Sequence, residues 1–193
     1  MEVVEVHRIH HRASKSGRSL PREVEMDSLA YFSLESCSKV KTIPEFSGQM
    51  KNLSSLNLNE TSIGKLPSSI GRLVGLTSLN IRDCKNLLGL PSAICNLKSL
   101  EWLNANGCAN MTNSQKAWGR WSGTAIRQVP WSIVRLKNLK YLDFGGCGSQ
   151  LKYQRNGFVL DSPDGLLSLT RLDLSDCVFV KGIFRVILAA CPL

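Results

Sequence analysis

Seven cysteines and three histidines are the residues of this 193-residue chain best suited to chemistry. His7, His10 and His11 stand at i, i+3 and i+4, a spacing that puts three imidazoles on one face of a helix. That could begin a metal site, but no fourth ligand accompanies them, and we read them as part of a solvated terminal turn. A cysteine nucleophile needs a histidine placed to take its proton, and all three histidines fall within the first eleven positions. The sequence holds no G-x-x-x-x-G-K-[ST] phosphate loop, no G-x-G-x-x-G turn, no H-E-x-x-H pair and no C-x-x-C pair. The expectation is a chain with no catalytic residue, no cofactor and no metal.

The cysteines acquire a meaning only when the chain is aligned with itself. Between Met50 and Leu97 two stretches share one pattern: Leu53-x-x-Leu56-x-Leu58-x-x-Thr61 with Leu66-Pro67-x-x-Ile70, then Leu76-x-x-Leu79-x-Ile81-x-x-Cys84 with Leu90-Pro91-x-x-Ile94. The two registers start 23 residues apart. Cys37, Cys84, Cys108, Cys147 and Cys177 all take the position that Thr61 takes, so their role is structural. A small side chain fits where the chain turns inward, and its hydroxyl or thiol can satisfy a buried loop backbone group. A period of 20–29 residues with L-x-x-L-x-L is the signature of a leucine-rich-repeat solenoid. The fold class expected is therefore α/β: a curved horseshoe with a parallel β-sheet on the concave face and loops, 3-10 turns or short helices on the convex side. The apolar–polar alternation of Leu56-Asn57-Leu58 is strand periodicity, and only stacking of successive coils buries its apolar side.

In chain order, residues 1–25 form a partial or degraded N-terminal repeat, because Leu20-Pro21-Arg-Glu-Val24 matches the second half of the pattern. Residues 26–180 form a domain of about six repeats. The first reads Leu29, Phe32, Leu34, Cys37, Val40, Ile43-Pro44, and the fourth opens at Leu100, Leu103, Ala105, Cys108. The pattern then fails across 109–123. Counting back eight from Thr124 puts Lys116, Gly119 and Trp121 where Leu-type residues belong, and most of one repeat's loop is read as lost or scrambled between Asn110 and Gly123. Later repeats read Leu139, Leu142, Phe144, Cys147 and Leu169, Leu172, Leu174, Cys177, separated by a polar inserted loop at 148–165. Residues 181–193 carry no polar capping turn, which suggests part of a longer protein, a truncated product or a module that needs a partner.

The formal net charge is +9, yet the outward strand positions carry the opposite sign. Glu35, Glu60, Asp83, Glu101, Asp143, Asp173 and Asp176 face only Arg82, Lys140 and Arg171 there, which argues against a phosphate backbone as ligand. The remaining bases sit in loops and convex turns as a solvated surface. One outward column reads Tyr31, Ser55, Ser78, Trp102, Tyr141, Arg171. Aromatics and arginine on an exposed face are the residue types of binding hot spots, with Trp102 the foremost. The protein-binding residues expected on the concave face are Tyr31, Glu35, Asn57, Arg82, Trp102, Tyr141, Asp143, Arg171 and Asp173. The odd cysteine count, a charged N-terminus without an apolar signal segment and the lack of a membrane-length apolar run point to a reducing compartment. The sequons at Asn52, Asn59 and Asn110 are then read as unmodified.

The alternating Cys and Thr ladder and the phrases Leu66-Pro-Ser-Ser-Ile70, Asp83-Cys84-Lys85-Asn86-Leu87 and Gly123-Thr-Ala-Ile126 resemble the repeat region of plant intracellular immune receptors. The subgroup is the N-like disease-resistance class, with a Toll/interleukin-1-receptor-type domain and a nucleotide-binding module upstream. The resemblance covers nearly all of residues 19–180. It implies defence signalling through a protein partner: a pathogen effector, a guarded host protein or the receptor's own nucleotide-binding module. No nucleic acid, membrane or small-molecule substrate is expected, and the location implied is cytoplasmic, with the nucleus also open to it. Both upstream domains of the class are missing from this sequence, so nucleotide binding and NAD cleavage are not carried over. The rival reading is a free-standing intracellular leucine-rich-repeat adaptor or substrate-binding protein.

Overall fold

The computed structural model describes residues 23–24, 29–46, 50–111, 133, 135–146, 166–173 and 175. The expectations placed on the histidines, the inserted loop at 148–165 and the C-terminal end at 181–193 lie outside these residues. So do Cys147, Cys177 and most of the irregular segment at 109–123.

Among the described residues there are eight short strands: β1 (Glu23–Val24), β2 (Tyr31–Ser33), β3 (Glu45–Phe46), β4 (Ser55–Asn57), β5 (Ser78–Asn80), β6 (Trp102–Asn104), β7 (Tyr141–Asp143) and β8 (Arg171–Asp173). Six of them form one parallel sheet in the order β2-β4-β5-β6-β7-β8. In β4, β5 and β6 the central Leu56, Leu79 and Leu103 are fully buried and both neighbours are half-exposed. Such a strand hides one side chain in three, which is too little to hold it alone, so each coil depends on the coil before and after it. The aliphatic side chains of all the described coils form one continuous core.

The back of each coil is closed differently. Pro67 and Pro91 hold the extended φ, ψ of −65°, 150° and −68°, 152°, and each starts a 3-10 helix, Ser68–Arg72 and Ser92–Asn96. Ile70 and Ile94 anchor these helices in the core and accept the backbone N–H of Leu73 and Leu97. The two helices pack on each other, and the first packs on β3, which pairs with β1. A solenoid with a concave parallel sheet and 3-10 turns behind it is the observed architecture.

Sheet hydrogen bonding continues past the strand ends. The N–H of Leu34, Leu58, Ile81, Ala105 and Phe144 donates to the carbonyl of the next coil at 2.7–2.9 Å. Two residues on, Ser36, Glu60, Asp83, Gly107 and Gly146 repeat the bond, all with left-handed φ between 53° and 72°. The turn therefore has one fixed shape, whatever residue fills it. Just beyond it the expected ladder is present. Thr61 Oγ1 donates to Leu58 O at 2.9 Å, Cys84 Sγ donates to the same carbonyl at 3.1 Å, and Cys108 Sγ donates to Ile81 O at 3.0 Å.

β6 pairs directly with β7, Leu103 opposite Leu142; the positions Lys116, Gly119 and Trp121 lie outside the described residues. Ala105, fully buried, has the bulky Phe144 beside it in register, so a large side chain neighbours the small one.

Candidate functional site

The concave sheet presents three outward rows, and each has a distinct duty. The row preceding the strands is tied into the backbone of the neighbouring coil. Ser54 Oγ bonds Ala30 O, Thr77 Oγ1 bonds Ser54 O and Thr170 Oγ1 bonds Lys140 O, all at 2.9–3.0 Å, while Lys140 pairs with Glu101 at 2.9 Å.

The third strand position is a capping row. Side-chain oxygens of Ser33, Asn57, Asn80, Asn104, Asp143 and Asp173 each accept the backbone N–H two residues on, at 2.8–3.3 Å. Asn and Asp do this because their short side chains reach their own backbone two residues later. Three residues expected to meet a partner, Asn57, Asp143 and Asp173, thus hold the turn that sends the chain inward. Asp143 is the clearest correction. It is 6% exposed, and its carboxylate also accepts the Tyr141 hydroxyl at 3.0 Å and Asn106 Nδ2 at 3.2 Å. Strand alternation points it outward, but Tyr141 and Asn106 cover it. The Ser175 N–H and hydroxyl hold the Asp173 carboxyl below its ordinary range.

The middle row is the column Tyr31, Ser55, Ser78, Trp102, Tyr141, Arg171, and pairing brings these residues side by side in that order. Trp102 and Tyr141 stack with ring centroids 5.3 Å apart and planes 14° from parallel. The Arg171 guanidinium lies 5.4 Å from the Tyr141 centroid, a geometry in which the ring's negative face attracts the cation. Burial, then the hydrogen bond and the negative charge of Asp143, raise the Tyr141 phenol, so it stays a donor. Tyr31 is 43% exposed, and the short Ser55 and Ser78 lie between it and Trp102.

The remaining expected residues lie at the turn. Glu35 accepts Asn57 Nδ2 at 3.1 Å and Asn59 Nδ2 at 3.3 Å, and the exposed Arg82 pairs with Asp83 at 3.2 Å. The nine residues thus lie along one face, but they divide between the column, the capping row and the turn. Sequence reasoning missed the capping row and the left-handed turns, although Asn or Asp recurring after L-x-L was a visible signal of the former. Among the described residues no three His, Cys, Asp or Glu side chains gather as a metal site, and no helix is long and apolar enough to cross a membrane.

A family profile described as disease resistance protein RPS4B-like, leucine-rich repeats, matches residues 25–127. Disease resistance protein RPS6 of Arabidopsis thaliana is 41% identical over 70 residues, which is 36% of this chain and 6% of that protein. RPS4B of the same plant is 41% identical over 66 residues, 34% of this chain and 5% of that one. TMV resistance protein N of Nicotiana glutinosa is 36% identical over 66 residues, 34% of this chain and 6% of that protein. The chain thus aligns with only a small fraction of each relative's length. Among solved structures, the leucine-rich repeat domain of the type III effector XCV3220 (XopL) aligns with 91% of this chain and 54% of its own, at 25% identity and a TM-score of 0.48. On its sequence match over more than half its length, the chain belongs to the RPS4B-like leucine-rich-repeat family of plant disease resistance proteins.

Proposed function

We propose that this chain is the protein-recognition module of an intracellular plant immune receptor, acting through its concave sheet and carrying no catalysis of its own. It senses a pathogen effector or a guarded host protein, or it holds the receptor's own nucleotide-binding module in check. It works in the cytoplasm or nucleus. The observation that carries this reading is the middle column: Trp102, Tyr141 and Arg171 stacked across three strands on the outward face of the sheet. Large aromatics and arginine supply most of the energy in protein interfaces. The acidic residues around them, Glu35, Glu60 and Glu101, favour a protein ligand over nucleic acid.

A photo-crosslinking amino acid at Ser78, on the concave face, and another at Lys65, on the convex side, test this in plant cells. Adducts with a defined protein from position 78, lost in the Trp102→Ala background, are expected. Adducts from position 65 alone would sink the reading.

A further inference from the structure

The middle column is uneven, and its unevenness describes a ligand. Tyr31 stands at one edge, Trp102 three strands away, and only serines lie between them. Strands lie about 4.8 Å apart, so the two rings bound a notch roughly 14 Å from centre to centre. Trp102 offers one face to Tyr141, and its other face looks over Ser78, whose side chain is too short to cover it. Neither serine hydroxyl has a hydrogen-bond partner among the described residues, and nor do the amide nitrogens of Asn80 and Asn104 beside them. At the far end of the stack the Arg171 guanidinium is exposed and lies 5.4 Å from the Tyr141 centroid, and among the described residues it makes no ion pair. An exposed guanidinium can present its N–H fork to a planar anion, and a carboxylate takes it in two parallel bonds.

We infer that β4 to β8 bind an extended peptide segment laid across the strands, with one apolar and one carboxylate side chain as its anchors. An aromatic or branched apolar side chain fills the notch over Ser55 and Ser78 against Trp102, and an Asp or Glu side chain meets Arg171. From Ser78 to Arg171 is three strand spacings, which an extended peptide covers in about four residues. The free amides of Asn80 and Asn104 serve the peptide's carbonyls. The inference rests on the concave sheet being the recognition face, and it adds the chemistry of what is recognised.

The test pans the full chain against a phage-displayed library of random peptides and measures synthetic versions of the enriched ones by fluorescence anisotropy. Enriched peptides carrying an apolar and an acidic residue about four apart are expected. Arg171→Gln then weakens the acidic peptide by about tenfold or more and leaves its Glu→Gln version unchanged. Ser78→Trp, which fills the notch, weakens both peptides, whereas Ser78→Ala and the convex Lys65→Glu do not. A library that yields no binder, or binders without the pair, overturns the inference. So do binders indifferent to Arg171→Gln and Ser78→Trp. If such binders still respond to Glu35→Lys or Arg82→Glu, the concave reading stands and only its proposed chemistry falls. If they ignore every concave substitution, both fall.

Discussion

Cys84 and Cys108 each bring a sulfur within hydrogen-bond reach of a carbonyl in the preceding coil, and Cys84 also lies 3.3 Å from the Thr61 hydroxyl. Burial raises both thiols above their ordinary value, as it does Cys37, so none of the three is a ready thiolate. A raised folded value means that the stability is whole below the unfolded thiol's pKa, about 8.5, and is lost as pH rises beyond it. The urea midpoint of the native chain is therefore expected to fall above that pH more steeply than that of Cys84→Thr/Cys108→Thr, which Thr61 marks as a tolerated exchange. At neutral pH, iodoacetamide should label the half-buried Cys95 first and reach Cys37, Cys84 and Cys108 only on unfolding, as peptide mass spectrometry would report. Gly107 is a different kind of single-residue constraint. Its φ is 72°, and an added Cβ would lie 2.4 Å from Asp83 Oδ1. Gly107→Ala is expected to cost about 1–2 kcal/mol for the backbone alone, more once Asp83 is displaced, measured by urea unfolding.

At the scale of the element, the strand and its exit turn behave as one unit. Asn80→Ala removes the acceptor for the Arg82 N–H and should cost about 1 kcal/mol, while Asn80→Asp, which keeps that acceptor, should cost less. Leu79→Ala opens a hole at the fully buried centre of the same strand, with an expected loss of about 2–5 kcal/mol in chemical denaturation. The aliphatic half of this unit was legible in the sequence, because Leu at fixed offsets can only mean a shared buried side. The column Tyr31 to Arg171 was legible for the same reason, since period-two alternation fixes which residues share a face. The capping duty of Asn57, Asp143 and Asp173 was read as binding instead. A polar residue at an outward position looks alike in sequence whether its oxygen serves a partner or its own backbone.

At the scale of the whole molecule, each coil contacts chiefly its neighbours, so stability accumulates along the chain and damage spreads from where it is inflicted. Gly75 shows how close that contact is: a Cβ there would lie 2.1 Å from the Lys51 carbonyl oxygen of the preceding coil. Gly75→Ala must push two backbones apart, and we expect a loss of about 1–3 kcal/mol with a broadened denaturant transition. Long-range order was less legible than the repeat itself. The direct pairing of β6 with β7 depends on which coils lie next to each other, and repeat counting across residues 109–123 does not contain that information.

Of the three concave rows, one is bonded to the adjacent coil and another caps the turns, so changes in either disturb the scaffold. Apart from Tyr141, whose hydroxyl braces Asp143, the side chains of the middle column carry neither obligation among the described residues, and Ser55 and Ser78 in particular can be exchanged at little cost to folding. On the recognition role proposed above, substitutions along that single file would change what the sheet binds while leaving in place the architecture that displays it.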